Sequence, residues 1–291
     1  MTGPPHMHRT DGDGWTECSC GSRHWGRHGA AGLLLTDDDL GVLLQHRASW
    51  SHHGDTWGVP GGARASDEGA VTAAVREAAE EAAVVPDLVR ADLAFVEDHG
   101  DWSYTTIVAT SLGPFDPYPS DAESHDIRWV PIDEVADLPL MPAFAAMWPR
   151  IRAQIGRRAA LIVDAANVVG SRPDGWWLDR AGATSRLRDR LAAADGLPAT
   201  ALDLPADHWW PDTSMVVEGA ARDLTGVDGV QVVVAAGSGD DTIVATAEQT
   251  VRDRPGDPVV VATADRELRR RVLAVGASVT GPGTLRTALS G

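Results

Sequence analysis

The stretch Gly62-Ala-Arg-Ala-Ser-Asp-Glu68-Gly-Ala-Val-Thr-Ala-Ala-Val-Arg76-Glu77-Ala-Ala-Glu80-Glu81-Ala-Ala-Val84 decides how the first half of the chain is read. It follows the short strand-like run Trp57-Gly-Val-Pro, which ends in a glycine turn at Gly61-Gly62. The alanine-rich segment after it is a strong helix former. Ser66-Asp67-Glu68 offers a cap and an acidic first turn, so the helix is expected to open there. Glu77, Glu80 and Glu81 then fall at i, i+3 and i+4 and share one helical face. Three like charges on one face repel unless cations neutralise them. Hard oxygen ligands grouped this way suit Mg²⁺ or Mn²⁺. An ordinary acidic surface helix would explain the glutamates and an Arg76–Glu80 pair. It would not require the fixed offsets back to Gly62 and Glu68.

Those offsets make the stretch resemble the Nudix box, G-x5-E-x7-R-E-U-x-E-E-x-G-U, with U aliphatic. Gly62, Glu68, Arg76, Glu77, Ala78, Glu80, Glu81 and Val84 are in register, and Ala83 stands where the pattern has glycine. That position is read as helix-end packing. The resemblance covers about residues 28–155. It implies metal-dependent hydrolysis of the phosphoanhydride in a nucleoside diphosphate derivative: a nucleoside triphosphate, a damaged dNTP or a nucleotide-capped RNA end. Carried over residue by residue, it makes Glu80 and Glu81 the principal metal ligands and Glu77 a ligand or the base. Arg76 and Glu68 become a pair that holds the helix against its loop. Glu123, just before the strand at 127–130, matches a position where some members place a further acid. A nucleotide sensor without turnover is a competing reading, and the intact set of glutamates weighs against it.

Composition narrows the partners. The chain has 291 residues, enough for two ordinary domains, and a net charge of −17. Residues 1–156 hold 10 Arg against 24 acids, and residues 157–291 hold 15 Arg against 18, with no lysine anywhere. The first half therefore repels long polyanions and favours small nucleotides, while the second is close to neutral. No apolar run reaches membrane-spanning length, and the polar, His-rich N-terminus lacks a signal-peptide layout. The two cysteines, Cys18 and Cys20, point to a reducing, cytoplasmic location.

Residues 30–36 and 41–47 are apolar runs around Asp37-Asp38-Asp39, read as strand–turn–strand. Residues 88–97 and 102–112 form a second strand pair, Asp126–Pro131 another strand, and 142–155 a closing helix. This order suits a mixed sheet between helices, the α/β/α sandwich of the Nudix fold. The expected division is an N-terminal segment 1–27, a Nudix domain 28–155 and a second domain 157–291.

From Arg157 the pattern changes. Ala159–Asp164, Met215–Glu218, Val230–Ala235 and Val259–Thr263 are apolar runs, several ending in acids, with helical stretches between them. Strand–helix alternation predicts a doubly wound parallel sheet, whose ligands collect at the strands' carboxyl ends. Those ends carry Asp164, Asp240, Asp241 and Asp265, a candidate metal set, with Asn167 a candidate substrate contact and Glu218 less secure. Asp164-Ala-Ala-Asn167, Gly237-Ser-Gly-Asp240-Asp241 and Thr263-Ala-Asp265 resemble the PIN-like nuclease superfamily, its NYN branch. The resemblance implies single-stranded RNA as partner and a second, ribonuclease activity. A non-catalytic module for binding or oligomerisation, including a homodimer, is the competing reading, because Asp at strand ends also caps helices. Trp176-Trp177 and Trp209-Trp210 are read either as RNA-stacking aromatics or as locks on a long loop.

Substrate choice in the first domain lies outside the box. Trp50, His52 and His53 precede the strand leading into it and are candidates to stack on a base, with Gly61 and Gly62 lining the approach. Cys18, Cys20, His24 and His28 have zinc-compatible types, but Cys-x-Cys is tighter than the usual Cys-x2-Cys. Unliganded packing is the expectation for them.

Overall fold

The computed structural model describes residues 10–51, 53–173 and 175–290. The chain divides into two compact units, Met1–Gly156 and Arg157–Gly291. The first opens with a two-stranded antiparallel hairpin, β1 (Trp15–Glu17) and β2 (Arg23–Trp25). The mixed sheet follows, with β3 (Ala30–Asp37), β4 (Gly41–Arg47), β5 (Trp57–Gly58), β6 (Gly61–Ala63), β7 (Val89–Asp98), β8 (Ser103–Ser111) and β9 (Ser124–Val130). Helix α1 spans Ala70–Ala82 and α2 Pro142–Arg152.

Strand β3 is the hub. It runs parallel to β8, and β7 pairs antiparallel on the far side of β8. On its other edge β3 divides, pairing first with β6 through Ala30–Gly32 and then with β4 through Thr36 and Asp37. Strand β4 in turn carries β5 and β9. All but the last residue of β3 is buried, as both faces of a covered sheet require. Helix α1 packs on β3 and β6 through Ala73, Ala74, Ala78 and Ala82, whose small side chains allow a close approach. Glu81 lies on that same buried stripe.

Two local features differ from the sequence expectation. Helix α1 starts at Ala70 behind Gly69, not at Ser66, and has no side-chain cap. Glu68 is recruited instead by Arg76 and by the Ala65 N–H, so it stays in the loop. At the other end Ala83 is not simply a packing position. It adopts the left-handed conformation, φ 54° and ψ 28°, and the Val84 N–H returns to Ala78 O at 3.3 Å. That is a helix stop for which glycine carries no Cβ penalty. Ala83→Gly is expected to stabilise this unit by about 0.5–1 kcal/mol, read as a rise in its thermal midpoint.

The second unit holds a five-stranded, all-parallel sheet. Its order is β14 (Val230–Val234), β13 (Asp212–Val217), β10 (Ala160–Asp164), β15 (Val259–Ala262), β16 (Ser278–Thr280). A short antiparallel pair, β11 (Leu197–Pro198) and β12 (His208–Trp209), stands outside that order. The helices are α3 (Ala165–Gly170), α4 (Arg180–Ala192), α5 (Ala199–Leu202), α6 (Gly239–Asp253), α7 (Arg266–Ala274) and α8 (Pro282–Ala288). Ile162, Val216, Val261, Ile243, Leu268 and Val272 join strands, α6 and α7 in one core.

Candidate active site

The box side chains are organised around Arg76. Its Nε and Nη2 donate to the two oxygens of Glu68 at 2.8 and 2.9 Å, and Nη2 also reaches Ala63 O at 3.0 Å. Nη1 donates to Glu77 Oε1 at 2.7 Å and lies 3.6 Å from Glu80 Oε2. One guanidinium thus ties the loop, the strand β6 and two of the three helical glutamates together. A planar five-donor fork does this where an ammonium could not. Glu68 is held below the usual carboxylate range, chiefly by Arg76, while its own charge raises the Arg76 pKa further.

Glu81 is treated differently. It is buried, its Oε2 accepts the Gly61 N–H at 2.9 Å, and burial pushes its carboxyl well above the ordinary value, with the Glu77 charge adding to the effect. Burial raises Glu77 as well, against the pull of Arg76. Gly61 and Gly62 serve close approach, not a turn, and neither has a positive φ. A Cβ on Gly61 would stand 2.5 Å from Ala31 O, and one on Gly62 2.6 Å from the Glu77 carboxylate. Gly62→Ala is therefore expected to displace Glu77 and lower turnover about tenfold with the fold retained, measurable by steady-state kinetics beside circular dichroism.

Three further groups share the electrostatic surroundings of Glu81: Arg47 at the end of β4, Tyr104 on β8 and Asp121 in the loop before β9. Asp121 and Arg47 act on both Glu81 and Glu123 with opposite sign, and Glu123 is raised mainly by its own burial. Tyr104 is raised by burial and by the charge of Glu81. The Glu123 backbone carbonyl accepts the Ala48 N–H at 2.7 Å, which joins its loop to the one after β4. Arg47, Asp121 and Tyr104 carry no local motif. The pairing of β3 with β4 and β8, and of β4 with β9, whose preceding loop carries Asp121, brings them near the box.

The carboxylates fit a divalent cation by their chemistry: two are desolvated, crowded by like charge and only partly neutralised by Arg76. Glu80, half-exposed, completes a hard oxygen donor set. They are not drawn into one tight cluster, because Arg76 holds Glu77 while Gly61 holds Glu81. Among the described residues, only Cys18, Cys20 and His24 bring three ligand atoms within 4.8 Å of one another.

Of the base-stacking candidates, Trp50 is 66% exposed in the loop after β4, and His53 has a positive φ of 55°. His52 lies outside the described residues. Trp57, by contrast, is buried between the His46 ring, stacked at 4.8 Å, and Arg128 at 4.5 Å.

In the second unit Asp164 Oδ1 caps α3 through the Asn167 N–H at 3.0 Å, and Oδ2 accepts from Thr263 at 2.9 Å. Asn167 Oδ1 accepts the Ala264 N–H at 2.9 Å, and Asp265 caps α7 through Leu268. Burial raises Asp164, with Asp240 and Glu218 adding to it; Asp240 is raised by burial and by Asp265. Glu218 Oε2 also accepts the Gly239 N–H at the start of α6, at 2.9 Å. Asp164, Glu218, Asp240 and Asp265 therefore share one electrostatic neighbourhood. Asp241 also acts on Asp240 but is itself ion-paired to Arg271 at 2.6 Å. Trp209 is fully buried, and Trp210 packs over Gly196 and donates to Asp195, so neither is displayed for stacking; Trp177 is about half exposed.

Residues 26–151 match the family model described as "NUDIX domain". The protein named "Putative 8-oxo-dGTP diphosphatase 3" of Mycobacterium tuberculosis is 51% identical over 154 residues, covering 50% of this chain and 70% of that one. With that coverage, the chain belongs to the Nudix family. A "Nucleoside triphosphate pyrophosphatase/Nudix hydrolase fusion protein" of Bifidobacterium longum is 43% identical over 156 residues. The match spans 51% of this chain and only 32% of that relative's length. A solved structure, the Nudix hydrolase RenU from M. smegmatis, is 48% identical, covers 48% of this chain and 93% of its own, and superposes with a TM-score of 0.45. The family supports a hydrolase acting on acid anhydrides. No helix among the described residues is long and apolar enough to cross a membrane.

Proposed function

We propose that the first unit is a divalent-cation-dependent pyrophosphohydrolase of nucleoside diphosphate derivatives, with oxidised purine deoxynucleoside triphosphates the first substrates to test. The observation that carries this is the placement of Glu77, Glu80 and Glu81 around one arginine, with Glu81 desolvated against the Gly61 backbone. The name of the 51%-identical relative supports the choice of 8-oxo-dGTP among triphosphates.

Glu80, Glu81 and Glu77 would hold Mg²⁺ or Mn²⁺, which would supply charge relief to the phosphate oxygens and polarise the attacking water. The chain's own contribution is positional and electrostatic. Arg76 fixes the helix face, and Arg47 offers a cation on the side of the β4 strand. Glu77, Glu81 and Glu123 have raised carboxyls, the Glu77 charge adding to the rise of Glu81, which brings them nearer the range where a base takes a proton at neutral pH. Trp50 stacks on the nucleobase in this reading. Replacing Trp50 with Ala is expected to raise KM severalfold with kcat nearly unchanged; an unchanged KM removes it from the substrate site.

A second reading concerns the other unit. Asp164, Glu218, Asp240 and Asp265 share one acidic neighbourhood at the carboxyl ends of β10, β13 and β15 and the start of α6, which supports a PIN-like, metal-dependent ribonuclease acting on single-stranded RNA. Asp164→Asn together with Asp265→Asn is expected to abolish Mn²⁺-dependent cleavage of a single-stranded RNA while leaving nucleotide hydrolysis intact. RNA cleavage unchanged by the pair of substitutions, or absent from the unaltered chain, returns this unit to a binding or dimerisation module.

A further inference from the structure

The N-terminal hairpin carries a cluster that nucleotide hydrolysis does not use. The turn between β1 and β2 brings Cys18, Cys20 and His24 together, with their ligand atoms within 4.8 Å of one another. Cys20 Sγ lies 3.2 Å from His24 Nε2, and the Cys20 N–H points at Cys18 Sγ at 3.5 Å. Two soft sulfurs and one imidazole form a donor set for Zn²⁺, unlike the all-oxygen set of the box. His28, although four residues beyond His24, is not part of the cluster. The tight Cys-x-Cys spacing, which argued against a metal from sequence alone, is accommodated because the turn folds Cys20 back toward Cys18 and His24.

A further ring stands beside it. His99, in the turn after β7, lies 4.6 Å from His24 between ring centroids, and its Nε2 is 3.1 Å from Glu97 Oε1. A carboxylate on one nitrogen is the arrangement that orients a metal-bound imidazole. We infer that Cys18, Cys20 and His24 bind a structural Zn²⁺, with His99, which lies outside that three-residue cluster, shifting in through its other ring nitrogen to complete the tetrahedron.

The physical need is visible in the hairpin itself. Two three-residue strands, with Trp15 and Trp25 still 45% and 38% exposed, bury too little to hold their own shape. What fastens the hairpin is a seam to the 97–102 turn. Cys18 Sγ approaches His99 O, the Ser19 N–H donates to Asp101 at 2.8 Å, and the Trp102 indole N–H donates to Trp25 O at 3.1 Å. His24 stacks on Trp102 at 4.2 Å. From the hairpin the chain reaches the box loop: Arg27 N–H donates to Gly12 O at 2.7 Å, and Asp11 accepts the Ser66 N–H at 3.1 Å. A metal at the turn would thus brace the loop that holds Glu68. On binding, each thiol gives its proton to solvent and both sulfurs coordinate as thiolates, with no change of oxidation state.

The test is elemental analysis of the full chain, purified under reducing conditions and desalted. About one Zn²⁺ per chain is expected. Cys18→Ser and Cys20→Ser are each expected to remove it, whereas His28→Ala and Glu80→Gln leave it in place. His99→Ala is expected to weaken zinc affinity at least about tenfold, and an unchanged affinity removes His99 from the ligand set. Because a hairpin variant can lose metal by unfolding locally, Co²⁺ substitution of the unaltered chain supplies an independent reading. The expected spectrum has tetrahedral d–d bands and a thiolate-to-cobalt charge-transfer band. A zinc-free chain, zinc retained in both cysteine variants, a Cys18–Cys20 disulfide in the reduced preparation, or a cobalt spectrum without the thiolate band overturns the inference.

Discussion

Glu81→Gln is expected to abolish nucleotide hydrolysis, by about a hundredfold or more, and at the same time to make the metal-free protein more stable. Both effects have one cause. Glu81 is buried on the packing stripe of α1, where its Oε2 accepts the Gly61 N–H, and Glu77 and Asp121 act against its charge. Glutamine keeps an oxygen for Gly61 and removes the buried charge, a gain of order 1 kcal/mol. The pH dependence follows from the same shift. Glu81 and Glu77 have folded pKa values raised above the unfolded value near 4.5, so the native state binds more protons than the unfolded one. Their destabilisation is absent below about pH 4.5 and grows as pH rises through the folded values. Glu68 has the opposite sign: its folded pKa is lowered, so its stabilisation is complete above pH 4.5 and is lost only at lower pH. Between about pH 5 and 8 the chelated, unaltered protein should therefore fall in thermal midpoint relative to Glu81→Gln, and saturating Mg²⁺ should restore the unaltered protein only. Parallel midpoints across that range would contradict a buried, ionising Glu81.

Arg76→Met is expected to be the most destabilising single change in the first unit. Methionine keeps much of the stem's volume but leaves Glu68, Glu77 and Glu80 without their shared cation, and Ala63 O without a donor. A fully buried ion pair broken on one side costs about 3–5 kcal/mol; these groups retain some solvent, so about 2–3 kcal/mol is expected. Chemical denaturation of the two proteins measures it. Arg76→Lys should recover less than half, because an ammonium cannot serve Glu68 in two-point fashion while also reaching Glu77. Full recovery by lysine would mean that charge alone, and not the planar fork, holds the site.

The box was legible because its chemistry is local: Gly62 to Val84 lies within one strand, one loop and one helix. The runs at 30–36 and 41–47 were legible because nearly continuous apolar residues bounded by Asp37-Asp38-Asp39 leave few alternatives to paired strands. What sequence spacing could not supply were the contacts made across the sheet. Arg47, Tyr104 and Asp121 sit tens of residues from Glu81 and carry no motif, yet Arg47 and Asp121 act on its charge and that charge acts on Tyr104. The close approach made by Gly61 and Gly62 is not legible in the sequence, because glycine alone does not distinguish a turn from a position where a Cβ has no room. Ala83 shows the converse, a non-glycine residue in the left-handed region that sequence alone cannot reveal. The helix start was placed too early because Ser66-Asp67-Glu68 reads as a cap, whereas Arg76, eight residues on, claims Glu68. In the second unit the strand-end acids were visible, but not that Asp241 pairs with Arg271 or that Glu218 reaches Gly239.

The central claim is tested most directly by incubating the whole chain with a nucleotide panel that includes 8-oxo-dGTP, unmodified triphosphates and dinucleoside diphosphates, with and without Mg²⁺ or Mn²⁺, and identifying the products. The expected result is cleavage within the diphosphate linkage of at least one substrate, dependent on the cation and lowered about a hundredfold or more by Glu80→Gln. Cleavage that survives Glu80→Gln undiminished, or a panel left wholly intact by the cation-loaded chain, would contradict it.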